Sequence, residues 1–356
     1  MPVATDAKGQ RGVVGEGSVR VGPLMALPQV LDELGADTDT LLVEQGFHRT
    51  DFEDPESVMP VHAIDRLLHR GAEVTACPQL GVLVGRRGSL SALGVLGFLM
   101  RASKTVGEAL QILERHLQVQ DRAAVVSFEV SGGQGRLGYA LTVTGLKATD
   151  QTYGLVALIA IQIMRGLCGP GWRASEVHLP FRAPRDAAAL REACESPLRF
   201  GTDRMVLVFP ASDLARPVPT ADPLLYRMMA ERVSQLEAVA PRGLIDEVRQ
   251  MLRALVLTTK CTPSLVARRV GIAARTLNRR LALEGTSLRA LRDEVRRDTA
   301  CQLLAQTAHS AADIGQLLGY AEPAAFTRAF KRWAGVGPAQ WRAQQKGAAS
   351  GPALAP

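Results

Sequence analysis

Cysteine is scarce and unpaired in this chain. Five occur in 356 residues (Cys77, Cys168, Cys194, Cys261 and Cys301), an odd number with no C-x-x-C spacing. That excludes a disulfide framework and suits reduced thiols in a cytoplasmic protein. Nothing basic clusters beside Cys77 or Cys168 in sequence, so inert buried thiols are expected there. A basic segment followed by an apolar stretch and an export cleavage site does not open the chain, and no signal peptide is expected. Long apolar runs are also missing. The best, Gly154 to Met164, contains Gln162 and falls well short of the ~20 residues that cross lipid. It reads as a buried helix, and no membrane partner is expected.

Enzyme motifs are missing too. The sequence contains no G-x-S-x-G, H-E-x-x-H or P-loop. Its six histidines, His48, His62, His69, His116, His178 and His309, form no pair with ligand spacing; His62 and His69 stand two helical turns apart. SGGQG (131–135) lies between two strand-like runs, which favours a hairpin turn over a phosphate loop. No catalytic residue, metal or cofactor is expected.

What is present is a soluble composition, 47% apolar and 22% charged, over a length that suggests two or three domains. The net charge of +7 is not shared evenly. Residues 1–240 hold 24 Lys and Arg against 27 Asp and Glu, a net −3, whereas residues 241–346 hold 18 against 8, a net +10. A concentrated positive surface attracts polyanions through counterion release. On charge alone, a nucleic-acid surface and a merely solvated face are equally good readings.

Along the chain, residues 1–20 show no period and read as a flexible tail. From Leu24 helical patterns appear, two of them ending on Gly35 and Gly46, with a third over about Ile64–Val74. Val106, Leu110, Leu113 and Leu117 mark a further helix, with Thr105 or Ser103 near its start. AAVVSFEV and RLGYALTV then read as a hairpin, and Arg204–Pro210 as a third strand. Residues 21–213 are thus expected to form a mixed α/β (α+β) domain. Three prolines in Leu214–Pro223, followed by a helix, predict a linker over 214–241.

Residues 242–346 read as all-helical. Leu244, Val248, Met251, Leu252 and Leu255 share one stripe. Thr262-Pro263 then starts a short helix that Gly271 stops, and a second helix runs from about Ala274. Leu277 and Leu281 form its packing side, leaving Arg275, Asn278 and Arg279 as a set of outward donors: a helix-turn-helix over about 263–284. The arrangement repeats over about 311–334. Aligning Gly271 with Gly319 pairs Val266 with Ile314 and Val270 with Leu318. One extra turn residue then pairs Leu277 with Phe326, Arg279 with Arg328 and Leu281 with Phe330. Between the units, Ser287 opens a helix of about twenty residues, roughly 30 Å long, which suits two readers placed about one DNA turn apart.

RTLNRRLALEGTSLRALRDEVRRDTACQLL and IGQLLGYAEPAAFTRAFKRWAGVGPAQWR resemble the DNA-binding domain of the AraC/XylS family over Thr262–Arg342. The resemblance implies base contacts at Arg275, Asn278 and Arg279 in the first recognition helix and at Pro323, Ala324 and Arg328 in the second. Arg can fork to guanine and Asn can pair with adenine, whereas Pro323 and Ala324 offer no side-chain hydrogen bond, so the first unit should dominate specificity. Arg280, Arg296, Arg297, Thr327, Lys331 and Arg332 are expected to touch phosphate or face water. Glu322 is expected to cap its helix, and Trp333 and Trp341 to sit in the core. The tail, 347–356, is expected to be flexible.

LGVLGFLMRASKTVGEAL and LRFGTDRMVLVFPASDLARPVPTADP resemble the effector half of an AraC subset with an arabinose-binding-type domain. Together the resemblances imply a one-component transcription regulator, in the cytoplasm, that binds double-stranded promoter DNA and an unknown small-molecule effector. RNA polymerase is a partner if it activates, and a homodimer rests on the resemblance alone. An enzyme localised to DNA by a helix-turn-helix tail is the alternative.

Overall fold

The computed structural model describes residues 10–11, 14–15, 17–143, 145–184, 187–239, 243–256, 262–307 and 309–349. Contacts divide the chain into two compact units, residues 1–241 and 242–356.

The first unit already has structure where a tail was expected. Strands β1 (Gln10–Arg11) and β2 (Ser18–Arg20) pair antiparallel on either side of β3 (Ser57–Pro60). Strands of two or three residues are too short to display an alternating pattern, so composition hid them. Arg20 secures this sheet from within: it is 4% exposed, donates to the carbonyls of Val119 and Glu56 at 2.8 Å, and pairs with the Glu56 carboxylate. Residues 1–9, 12–13 and 16 of the expected tail lie outside the described residues.

Between β2 and β3 run α1 (Leu27–Glu33) and α2 (Thr38–Glu44), the latter capped by Asp37, which accepts from the Thr40 amide at 3.1 Å. Then follow α3 (Val61–Val74), α4 (Leu80–Arg86), α5 (Gly94–Arg101) and α6 (Val106–His116). Thr105 caps α6, and the expected stripe of Val106, Leu110 and Leu113 is buried.

Strands β4 (Ala124–Ser131) and β5 (Gln134–Leu141) form the expected hairpin around Gly132-Gly133, both at positive φ, which makes it a two-residue type I′ turn. Helix α7 (Thr149–Cys168) follows, then β6 (Glu176–Leu179), α8 (Ala188–Cys194), β7 (Leu198–Phe200) and β8 (Met205–Pro210). The sheet order is β4-β5-β8-β6-β7. Every pair is antiparallel except β6 with β7, where α8 supplies the crossover that parallel neighbours need. Leu137, Val177, Leu179, Leu207 and Phe209 of the sheet join the core that contains α7. The apolar run that read as a short buried helix is the middle of this 20-residue one. By length and composition α7 could cross a membrane, but 72% of its apolar window is buried inside the unit.

The proline-rich stretch expected as a linker is held against the unit instead. Val218 is 3% exposed, the Val106 amide donates to Arg216 O at 3.1 Å, and the Val218 amide donates to Lys104 O at 3.1 Å. Pro217 and Pro219 lie in a strip along the start of α6, and Pro223 opens the next helix. Helix α9 (Pro223–Val239) then buries Val233 in the same core; residues 240–242 lie outside the described residues.

The second unit is all-helical: α10 (Leu244–Leu255), α11 (Pro263–Arg269), α12 (Ala274–Leu283), α13 (Leu288–Gln306), α14 (Ala311–Leu317), α15 (Pro323–Ala334) and α16 (Pro338–Ala349). One core joins Val248, Leu252, Val266, Leu277, Leu281, Leu291, Val295, Leu304, Ile314, Phe326 and Phe330. Arg342 fastens α16 by donating to Leu304 O at 2.9 Å and His309 O at 2.6 Å. Residues 347–349 of the expected C-terminal tail complete α16. Residues 350–356 and Cys261 lie outside the described residues.

Candidate nucleic-acid interface

Two helix pairs, α11–α12 and α14–α15, are built by the same local chemistry. Thr262 caps α11 through the Leu265 amide, and Ser310 caps α14 through the Asp313 amide at 3.1 Å while Asp313 returns a bond to the Ser310 amide at 2.9 Å. Each first helix then closes in the same way. Gly271 and Gly319 adopt φ of 74° and 77°, their amides bond three residues back, and the next amide, of Ile272 or Tyr320, bonds five residues back at 3.1 and 2.9 Å. Only glycine takes that left-handed step without strain, so one residue type sets both turns. Ser310→Ala should lower the stability of this unit by about 1 kcal/mol, measurable by urea denaturation of the full chain.

The packing positions also correspond. Val266 and Ile314, Leu277 and Phe326, and Leu281 and Phe330 are each 0% exposed. The second pair uses larger residues, and its first helix gives way accordingly. A Cβ on Gly315 would lie 2.9 Å from Phe326 Cβ, and the first pair has Ala267 and the smaller Leu277 at the corresponding positions. Phe326, Phe330, Tyr320, Trp333 and Trp341 form a chain of edge and tilted ring contacts at 5.7–6.5 Å. Both tryptophans are half-buried in this cluster.

With Leu277 and Leu281 turned inward, α12 leaves Arg275, Asn278, Arg279 and Arg280 exposed. On α15, Pro323, Ala324, Thr327, Arg328, Lys331 and Arg332 are exposed, and the Thr327 hydroxyl donates to Pro323 O at 3.1 Å. Glu322 occupies the N-cap position, but its side chain makes no capping bond. Its backbone carbonyl accepts from Ala325 instead.

The remaining expected phosphate ligands separate into two groups. Arg296 lies over the Tyr320 ring, 5.0 Å from its centroid, and shares a cleft of about 400 Å³ with Arg328 and Arg332. Burial raises the Tyr320 phenol above its ordinary pKa, against the pull of Arg296. Arg297, one residue on, donates to Asp298 at 3.0 and 2.9 Å, and that bond raises its guanidinium pKa further. Arg297 does not line the cleft. Sequence reasoning missed two arginines that do, Arg289 and Arg292; the cue was their spacing of seven and four residues from Arg296.

Thiol chemistry finds no support in the described cysteines with resolved shifts. Burial pushes Cys168 up to about 11, Cys194 to about 12 and Cys301 to about 11, leaving no appreciable thiolate at neutral pH.

Residues 35–218 match the family model described as the arabinose-binding domain of AraC transcription regulator, N-terminal, and residues 266–344 match a helix-turn-helix domain. The chain belongs to the AraC family of transcription regulators. As an AraC-type regulator it binds DNA through the second unit, and the first unit is its arabinose-binding-type domain. It is 29% identical over 327 residues to the HTH-type transcriptional regulator VirS of Mycobacterium tuberculosis, covering 91% of this chain and 96% of that one. The ornithine utilization regulator of Pseudomonas aeruginosa is 26% identical over 89% of this chain and 94% of its own. The crystal structure of the transcriptional regulator CdpR from Pseudomonas aeruginosa is similar at 22% identity and a TM-score of 0.44, covering 88% of this chain and 97% of that one. In this AraC-family chain the two helix-turn-helix pairs are alike in framework and unlike in outward chemistry. Four hydrogen-bonding side chains, Arg275, Asn278, Arg279 and Arg280, face out from α12, whereas α15 begins with Pro323 and Ala324.

Proposed function

We propose that this regulator is a one-component switch. Its second unit reads a specific promoter sequence mainly through Arg275, Asn278 and Arg279, while its first unit binds a small-molecule effector that alters DNA affinity. The observation that carries the DNA reading is the exposed face of α12. Its two arginines and one asparagine make no ion pair among the described residues, and the helix behind them is fixed by fully buried Leu277 and Leu281. Arg forks to guanine O6 and N7, and Asn to adenine N6 and N7. Ala324 and Arg328 contribute base contacts of lower information, with RNA polymerase joining if the outcome is activation.

Footprinting on promoter DNA beside its own gene should give a discrete protected site of about two helical turns per chain. Uniform coating would contradict sequence-specific regulation. Melting of the full chain should be screened against a metabolite panel that includes L-arabinose, after the domain's description, and ornithine, after one relative's name. If a ligand that raises the melting temperature is the effector, it changes DNA affinity, and DNA changes its affinity by the same factor. A stabilising ligand that leaves DNA affinity unchanged would refute the switch.

A further inference from the structure

We infer that α13 is a phosphate clamp as well as a spacer. Arg289, Arg292 and Arg296 on one of its faces, with Arg332 of α15, grip the sugar-phosphate backbone of one DNA strand along the flank of the second recognition helix, while Arg328 at the same cleft stays with the bases. The inference rests on the DNA-binding reading and adds the part played by a helix that belongs to neither helix-turn-helix pair.

Residues 289, 292 and 296 recur at intervals of three and four, so they share one face of α13. That face lines the cleft together with Arg328, Arg332 and the short side chains of Ala325 and Ala329 on α15. Five guanidinium groups therefore surround about 400 Å³, against a single carboxylate, Asp293. Asp293 stands 3.8 Å from Arg332, which is too long for a hydrogen bond. The Nε of Arg292 is shut off from solvent and has no hydrogen-bond partner among the described residues.

Like charges gathered in this way repel one another unless an anion enters, and arginine's planar fork matches phosphate oxygens. Tyr320 holds Arg296 in place through its ring face. The neighbouring Arg297, bound to Asp298 and outside the cleft, supplies an internal control. Thr327 and Lys331 lie on the adjacent stripe of α15. A helix seated in the major groove would thus meet one strand on its α13 side and the other on its Thr327–Lys331 side. Backbone contacts of this kind position the second pair without demanding that Pro323 and Ala324 read bases.

The test uses the full chain, a duplex carrying its footprinted site and a scrambled duplex of equal length, titrated across a potassium chloride series. The double variant Arg289→Ala/Arg292→Ala should weaken both duplexes by the same factor. It should also flatten the slope of log Kobs against log salt by about 1.8, at ~0.9 per phosphate lost. Arg289→Lys/Arg292→Lys should restore most of that slope, and Arg297→Ala should leave it unchanged. Asp293→Asn, which removes the one acid and no cation, should tighten both duplexes several-fold and tests the clamp if the double variant fails to fold. A loss confined to the specific duplex, or an unchanged slope in a folded double variant, would overturn the proposal. So would displacement of DNA from the wild-type chain by inorganic tripolyphosphate, beyond a chloride control of equal ionic strength, with no slope change in the variant. That result would make the cleft a site for a free polyphosphate.

Discussion

Gly81→Val should remove or severely lower the unfolding transition of the N-terminal unit. The reason is a contact between the backbones of α4 and α7. A Cβ on Gly81 would lie 2.1 Å from the carbonyl oxygen of Gln151, and one on Gly85 would lie 2.4 Å from that of Leu155. From the other side, a Cβ on Gly154 would meet Val82 at 3.0 Å. The Gly81 amide also donates to Gln151 Oε1 at 3.0 Å, and Gln151 Nε2 donates to Pro78 O at 2.9 Å, so the crossing is bonded as well as packed.

Helix α7 cannot retreat without opening voids around Leu158, Ile161 and Met164, all 0% exposed. Overpacking a core commonly costs about 1–3 kcal/mol. Here the obstacle is main chain, which cannot rotate away, so the loss should reach about 3 kcal/mol or more. For a unit of this size that lowers Tm by about 6–12 °C. Arg86→Val, on the exposed side of the same helix, sacrifices only helix propensity, under ~1 kcal/mol. Equal losses in the two variants would show that the close crossing is not what matters.

Arg279→Ala should weaken binding to the footprinted site by about 1–3 kcal/mol, or roughly 5- to 150-fold, while binding to scrambled DNA changes little. Its side chain is exposed, and its helix is set by Leu277 and Leu281, so truncation removes the proposed reader without disturbing the frame. The partner base would be left with unpaired acceptors, which is why the loss falls on one sequence. Binding isotherms for both duplexes at fixed salt decide the matter. A uniform loss would move Arg279 to the phosphate-contacting group.

The second unit was legible in detail because its cues are local. Thr262-Pro263, Gly271, Ser310 and Gly319 are caps and stops that act within a few residues, and the spacing of Leu277 from Leu281 fixes which side of α12 faces outward. The repeat reinforced each of these. The first unit was legible where patterns were long, as in α6 and the β4–β5 hairpin. It was obscure where strands were short: β1, β2, β6 and β7 have two to four residues each and are held by partners far away in sequence. The prolines after Leu214 read as an exit because proline disfavours regular structure. What proline does not reveal is whether an extended strip is docked, and the burial of Val218 is a tertiary fact.

Within the candidate interface, Arg275, Asn278 and Arg279 could be named from the sequence because they lie on one short helix. The arginine cleft could not, because α13 and α15 meet only after folding. Arg296 and Arg297, adjacent in sequence and treated alike there, have different surroundings once Tyr320 and Asp298 are in place.

The repeated turn and the unequal faces of α12 and α15 give this regulator a head and a tail. On the proposed reading, one chain presents Arg275, Asn278 and Arg279 to bases first and a helix that opens on Pro323 and Ala324 second, in fixed order along the sequence, so its target would have a polarity that a palindrome lacks. A promoter with the site reversed end for end offers the same bases and the opposite orientation, and regulation from it should differ in kind rather than in degree.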